Sequence, residues 1–176
     1  MPSNAPTAFA DLLAKCERSA LHLEMRDVYA VDKEKGPFAE WQAGFRPDPA
    51  DRATWWRPWL DLVAETVGRG VVMRRARIVS EPVSEYIRYE HSGTFTNIAA
   101  GEQVRWLPRR QASDIPLPGN DFWLFDDRLV RWNHFGGDGS SQGPEHTTDS
   151  TAVKLCGKGF EAVWDRGIPH DQYDIR

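Results

Sequence analysis

Eleven side chains able to hold a charged ligand or move a proton fall between positions 75 and 134: Arg75, Arg77, Glu81, Tyr86, Arg88, Glu90, Asn97, Glu102, Asp121, Asp126 and His134. Carboxylates and a histidine gathered in one cleft could run general acid–base chemistry. Arginine presents a planar fork that grips carboxylates two bonds at a time. The same residues can equally form a buried Arg–Glu–Asp network that positions a hairpin and has no ligand at all.

Charge distribution sharpens the choice. The net charge of -4 conceals a segment, Arg69–Arg110, with eight Arg, four Glu, no Lys and no Asp, so that it carries +4 and the remainder -8. A basic stripe of Arg69, Arg74, Arg75, Arg77, Arg105, Arg109 and Arg110 around Trp106 would suit nucleic acid. Arginine without lysine, and with glutamates close by, fits structured ion pairing better than a phosphate footprint, so direct nucleic-acid binding is not expected.

These residues must be positioned by elements whose patterns are readable. Asp121–Phe135 carries the strongest apolar signal: Phe122–Phe125 reads as a strand buried on both faces, Asp126-Asp127 as a turn, and Leu129–Phe135 as the second strand of an antiparallel hairpin. Val71–Ser80 alternates so that Val72, Arg74, Ala76 and Ile78 share one side and Met73, Arg75, Arg77 and Val79 the other. Leu21–Met25 alternates as a half-buried strand, and Glu102–Leu107 reads as another strand that Pro108 stops.

Helical periods appear over Ala8–Ala20, over Phe38–Ala43, and from about Trp55 to Val67 with Pro58 in the first turn. Further helical segments are predicted after Pro82, over Thr94–Ala100, and over Thr151–Trp164 with Cys156, Phe160 and Val163 on one side. Gly136–Gly143 reads as a mobile loop. Residues 1–7 and 168–176 read as loosely ordered tails of a single domain covering 1–176. Strands separated by helices, with one obligatory hairpin, predict an α/β or α+β fold: a mixed sheet with flanking helices and a central antiparallel hairpin.

Several chemistries find no support. No phosphate-loop or dinucleotide glycine motif follows a strand, and no G-x-S-x-G elbow is present. Five scattered histidines and two distant cysteines do not make a metal site, so neither metal nor cofactor is expected. Both cysteines read as reduced core residues. With no secretory pattern in Met1–Thr7 and no apolar run near the ~18 residues of a membrane span, a cytoplasmic protein without membrane contact is expected.

The segments R-x-R-I-V-S-E-P-V-S-E-Y-I-R-Y-E (Arg75–Glu90), N-I-A-A-G-E (Asn97–Glu102), D-F-W-L-F-D (Asp121–Asp126) and H-L-E-M-R-D-V-Y (His22–Tyr29) resemble an uncharacterised family of small actinobacterial proteins often encoded beside helix-turn-helix regulators. The resemblance spans about Phe9 to Tyr173. It implies a bacterial cytosol and a regulatory neighbourhood, and it assigns no activity. A weaker resemblance, at the level of fold, is to phospholipase-D-like domains with H-x-K-x-x-x-x-D. With Asp126 set on the last position, Gly119 and Asp121 occupy the histidine and lysine positions, which implies a non-catalytic relative that senses or docks.

The expected function is therefore a non-enzymatic regulatory or interaction domain. Its partner would be a small polar ligand or a helix-turn-helix regulator. The alternative is a small enzyme using Glu81, Glu90, Glu102, Asp121 or Asp126 with His134 as acid and base on a polar metabolite.

Overall fold

The computed structural model describes residues 8–176; the expected tail at 1–7 lies outside them. The chain runs α1 (Phe9–Lys15), β1 (Ser19–Glu24), α2 (Asp32–Gln42), α3 (Pro58–Gly68), β2 (Val72–Val79), α4 (Glu85–Ala99), β3 (Gln103–Pro108), β4 (Asp121–Phe125), β5 (Leu129–Phe135), β6 (Ser141–Thr147), α5 (Ser150–Arg166) and β7 (Ile168–Pro169). The strands form one mixed sheet in the order β6-β5-β4-β1-β2-β3-β7. β1, β2 and β3 are parallel, and every other pairing is antiparallel. The expected mixed sheet with flanking helices and a hairpin is present, with β1 rather than the hairpin at its middle.

Strand alternation divides the sheet into two unlike faces. On one, Leu21, Leu23, Ala76, Ile78, Leu107, Phe122, Leu124 and Val130 meet Cys156, Phe160, Val163 and Trp164 of α5 in a continuous apolar core. The opposite face carries two separate apolar clusters. Ala20, Met73, Trp123 and Phe125 pack under Leu13 of α1 and Leu60 and Val63 of α3. Val79, Val104 and Trp106 pack with Tyr86 and Ile87 of α4 and with Tyr173. Between the two lies a band that is neither, and it holds His22, Glu24, Arg75, Arg77 and Asp121.

Several elements differ from the sequence expectation, each for a local reason. α1 stops at Lys15, five residues before Ala20, because Ser19 and Ala20 are drawn into the sheet beside Val72 and Met73. α2 begins at Asp32 and contains both Gly36 and Pro37. Pro37 lies in the second turn, and the charged residues ahead of it are tolerated because no residue of α2 is fully buried. α3 starts at Pro58, whose missing N–H costs nothing at a first turn, and Trp55 and Trp56 precede it. The two short helices expected after Pro82 are one helix of 15 residues, capped by the Ser84 hydroxyl accepting from the Ile87 N–H.

Gly136–Gly143 is not a free loop. Gly136 and Ser140 close a turn by backbone hydrogen bonding, the Gly139 carbonyl accepts from the Ala30 N–H, and Ser141 opens β6. The segment after Gly167 is also held, contrary to expectation. Ile168 and Pro169 pair with β3, and Tyr173 is buried and stacked on Trp106 with ring centroids 5.6 Å apart. No helix among the described residues is long and apolar enough to cross a membrane.

Asp126 belongs to this architecture. It and Asp127 turn the β4–β5 hairpin with positive φ of 53° and 54°, a conformation that short polar side chains tolerate. Its carboxylate accepts the N–H groups of Glu17, Arg18 and Ser19 at 3.0, 2.7 and 3.0 Å, and so ties the hairpin tip to the α1–β1 junction. Burial opposes ionisation here, but those amides outweigh it and hold the carboxyl well below the usual range. Asp126→Ala should lower the unfolding free energy by about 1–3 kcal/mol by stranding these donors, measured by urea denaturation. Because the folded carboxyl is the stronger acid, its contribution is present above pH ~4 and fades below it.

Candidate ligand-binding site

Polar side chains of the central band come in rows set by strand register. Arg131 of β5 lies opposite Trp123 of β4, which is opposite His22 of β1, which is opposite Arg75 of β2. The next row holds Asn133 opposite Asp121, and Glu24 opposite Arg77. A buried guanidinium inside a sheet requires an anion, and Arg75 and Arg77 each have two. Arg75 donates from Nε to Glu102 at 2.8 Å and from Nη1 to Glu24 at 3.1 Å. Arg77 reaches Glu24 through Nη1 at 2.8 Å and Glu90 of α4 through Nη2. Asn97 donates to the other oxygen of Glu102 at 2.7 Å, so Glu102 is satisfied beneath the floor. Burial favours loss of the Arg77 proton, but Glu24 and Glu90 more than reverse that and keep it a firm cation.

Above this floor is a cavity of about 520 Å³. Phe9, Trp59 and Arg57 wall one side; Val31, Lys33 and Glu34 of α2 and Tyr86, Tyr89 and Glu90 of α4 wall the other; Arg131, Asn133 and Phe135 close the hairpin end. The size suits a small molecule, and a lining that is aromatic but densely charged suits a polar one. A second hollow of about 250 Å³ adjoins it, sharing Arg57, Tyr89 and Asn97 and adding Trp41, Phe45 and Trp55.

Two acids of the chamber, Asp121 and Glu34, have no cation within ion-pair distance among the described residues. Asp121 accepts from the Tyr29 hydroxyl and, at 2.9 Å, from the Met25 N–H. Burial pushes its carboxyl up to about 6, with the Tyr29 hydrogen bond opposing and Glu24 adding to the rise. Glu34 accepts from the Tyr86 hydroxyl, which also lies 3.2 Å from Glu90. Burial and then the Glu90 charge push Glu34 up to about 7.

The cation side is likewise incomplete. Among the described residues Arg131 has no carboxylate partner: its Nη1 donates to Asn133 at 3.2 Å, it rides 5.0 Å over the Phe9 ring, and its buried Nε has no acceptor. Burial alone shifts its pKa below the ordinary arginine value. His22 is 7% exposed, stacks on Trp123 at 4.1 Å, and leaves Nδ1 without a partner. Burial, then Arg75, Arg77 and Arg131, hold its imidazole neutral.

Of the residues singled out from sequence, Arg75, Arg77, Tyr86, Glu90, Asn97 and Asp121 line the chamber and Glu102 supports it. Four do not belong. Glu81 accepts from Tyr173 at 2.9 Å beside a separate cleft. Arg88 points outward on α4 and is exposed. Asp126 is the hairpin clasp. His134 falls on the opposite side of β5 from Arg131 and Asn133, where it meets Glu145 of β6 at 3.1 Å, so it cannot share a proton with Asp121. The arginines of β2 hold glutamates, not Asp121 or Asp126. The wider arginine run is also spent internally: Arg74 on Glu161, Arg105 on the Trp164 carbonyl and Arg109 on Asp27.

Sequence reasoning passed over His22, Glu24, Arg131 and Asn133. Their signal was present: alternation in Leu21–Met25 sets His22 and Glu24 on one face, and alternation in Leu129–Phe135 does the same for Arg131 and Asn133. Tyr29 and Glu34 gave no such signal, because they lie in a charged segment that reads as surface. Among the described residues no group of three or more His, Cys, Asp or Glu side chains is placed to hold a metal ion.

The family described as a domain of unknown function (DUF6879) matches residues 7–174. The chain belongs to that family. No curated protein matches it. Among solved structures, this family member is similar to Nuc of Salmonella typhimurium, a phospholipase D family member, with a TM-score of 0.48 and 9% identity over 91% of this chain and 86% of that one. It is also similar to TrmBL2, an archaeal chromatin protein described as showing a novel mode of DNA binding, with a TM-score of 0.46 and 12% identity over 90% of this chain. The chain spans 47% of that protein's length.

Arg77→Met should cost about 3–5 kcal/mol in urea denaturation, because Glu90 would lose its cation and Glu24 would keep only Arg75. Asp121 and Glu34 work in the opposite sense. Both bind protons more tightly in the folded chain than in the unfolded one, where they titrate near pH 4. The stability tied to their neutral forms is full below about pH 4 and is lost as pH rises through about 6 and about 7. Thermal denaturation between pH 4.5 and 8 should therefore show a decline that Asp121→Asn and Glu34→Gln flatten.

Proposed function

We propose that the chain is a binding domain for a small polar ligand, which occupies the chamber between the sheet and α2, α3 and α4. One observation carries the reading: a cavity of about 520 Å³ whose floor is an ion-paired network but whose wall holds Arg131 without a carboxylate. Arg131 is half-buried, with its Nε sealed from solvent and without an acceptor, an arrangement that costs stability until a partner arrives. A bound molecule offsets the cost in the liganded state. In this reading the domain senses rather than transforms its ligand. The regulatory partner would be a helix-turn-helix protein, as the family resemblance suggests.

A second reading rests on Asp121 and Glu34, two carboxyl groups pushed up to about 6 and about 7 in the same chamber. Acid–base catalysis at neutral pH uses such groups. In this reading Asp121→Asn would retain ligand binding and lose turnover.

Native mass spectrometry of the chain purified from its own host should show a bound small molecule. Asn133→Trp, which fills the chamber from β5, should abolish that species while leaving the circular dichroism spectrum intact. A wild-type chain that leaves its host empty, and whose melting temperature no metabolite extract shifts relative to Asn133→Trp, would sink the proposal.

A further inference from the structure

Lys33 and Arg57 of the chamber wall are exposed, and the less exposed groups not already ion-paired are divided between two sides. On one, Arg131 and His22 flank Trp123 along a single row, with the Arg131 Nε and the His22 Nδ1 both lacking partners and His22 more than nine-tenths buried. On the other, Asp121 and Glu34 are linked through their tyrosines: Tyr29 donates to Asp121, Tyr86 donates to Glu34, and the two rings lie 5.8 Å apart. Among the described residues neither acid has a cation in ion-pair reach, whereas Glu24, Glu90 and Glu102 of the same region are paired.

A simple anion would meet Arg131 but would leave both acids uncompensated and add to their repulsion. A simple amine would serve the acids and leave the Arg131 N–H without an acceptor. Only a ligand bearing both charges satisfies both sides without changing the net charge of the chamber. We propose that the chamber binds a zwitterionic amino-carboxylate of short-peptide type, its carboxylate on Arg131 and its ammonium turned toward Glu34 and Asp121.

This inference rests on the ligand-binding reading of the chamber. Burial, which raises Asp121 and Glu34 to about 6 and about 7, is what an arriving ammonium would offset. The spacing also speaks to length. Arg131 is on β5 and the Glu34–Tyr86–Glu90 group sits over β2, three strands away in the order β5-β4-β1-β2. Backbones that far apart are separated by roughly 14 Å, whereas Asp121 is one strand from Arg131, so a ligand that reaches Glu34 as well as Asp121 needs a spacer longer than the single carbon of glycine. The adjoining hollow with Trp41, Phe45 and Trp55 leaves room for an apolar side chain beyond Arg57.

The test is calorimetry on the full chain with glycine, glycylglycine, triglycine and tryptophan-containing dipeptides, alongside the N-acetylated and C-amidated form of each peptide. The free di- or tripeptides should bind more tightly than glycine, and blocking either terminus should weaken them by about 10- to 100-fold, the worth of one charge-assisted hydrogen bond. Arg131→Gln should erase the penalty for the amidated form, and Glu34→Gln should reduce the penalty for the acetylated form. Both variants remove an uncompensated charge, so folding is retained and circular dichroism checks it.

Equal binding of free and doubly blocked peptides would overturn the zwitterion and leave the ligand-binding reading standing. So would a molecule seen by native mass spectrometry that none of the free peptides displaces. A chain that neither carries a host molecule nor binds any peptide overturns both.

Discussion

Two buried arginines on the middle of a parallel strand pair set the terms for this structure. Arg75 and Arg77 face the same side of β2, and both are over nine-tenths buried. Neither can be there alone, because an unpaired guanidinium in such a place costs several kcal/mol. Glu24 is the shared answer: it lies opposite Arg77 across the β1–β2 pairing and reaches Arg75 as well. Glu102, at the entry to β3, and Glu90, on α4, complete the set. Three elements are thereby fixed against β2 by charge, in addition to whatever their apolar faces contribute.

The same band explains why a chamber exists. A sheet face covered by helices ordinarily fills with interdigitating apolar side chains. Here the face opposite α5 is split into one cluster under α1 and α3 and another under α4. The polar rows separate the two clusters on the sheet, and α2, which packs against α4, covers part of that space with no fully buried residue of its own. The cavity is the space that a charged floor prevents the helices from closing.

Much of this was legible in residue order, and the failures are informative. Alternation in Val71–Ser80 correctly separated Arg75 and Arg77 from Arg74, and the structure sends Arg74 to Glu161 on the α5 side. The same rule applied to Leu129–Phe135 separates His134 from Arg131 and Asn133, and so sets the histidine outside the site on sequence grounds alone. Asp126 was misplaced for a different cause. It follows an apolar strand as a charged residue without a visible partner, and its true partners are backbone amides of the α1–β1 junction, which have no signature in a sequence. β6 was missed because Gly143 and Pro144 break the apolar alternation, and an edge strand with exposed residues does not need it.

By itself, the sequence determined what is local: which segments are extended or helical, where caps and turns fall, and which residues of one strand share a face. Those properties follow from backbone geometry with a period of two or of 3.6, and neighbours in sequence carry them. The tertiary structure decided which strands lie side by side and in what register. That brought Glu24 rather than Asp121 to Arg77, left Asp121 to Tyr29, set Arg131 beside Trp123, and turned His22 rather than His134 toward the chamber. The physical reason is that lateral neighbours in a sheet are chosen by packing between segments distant in sequence, where a shift of one residue would reverse every face.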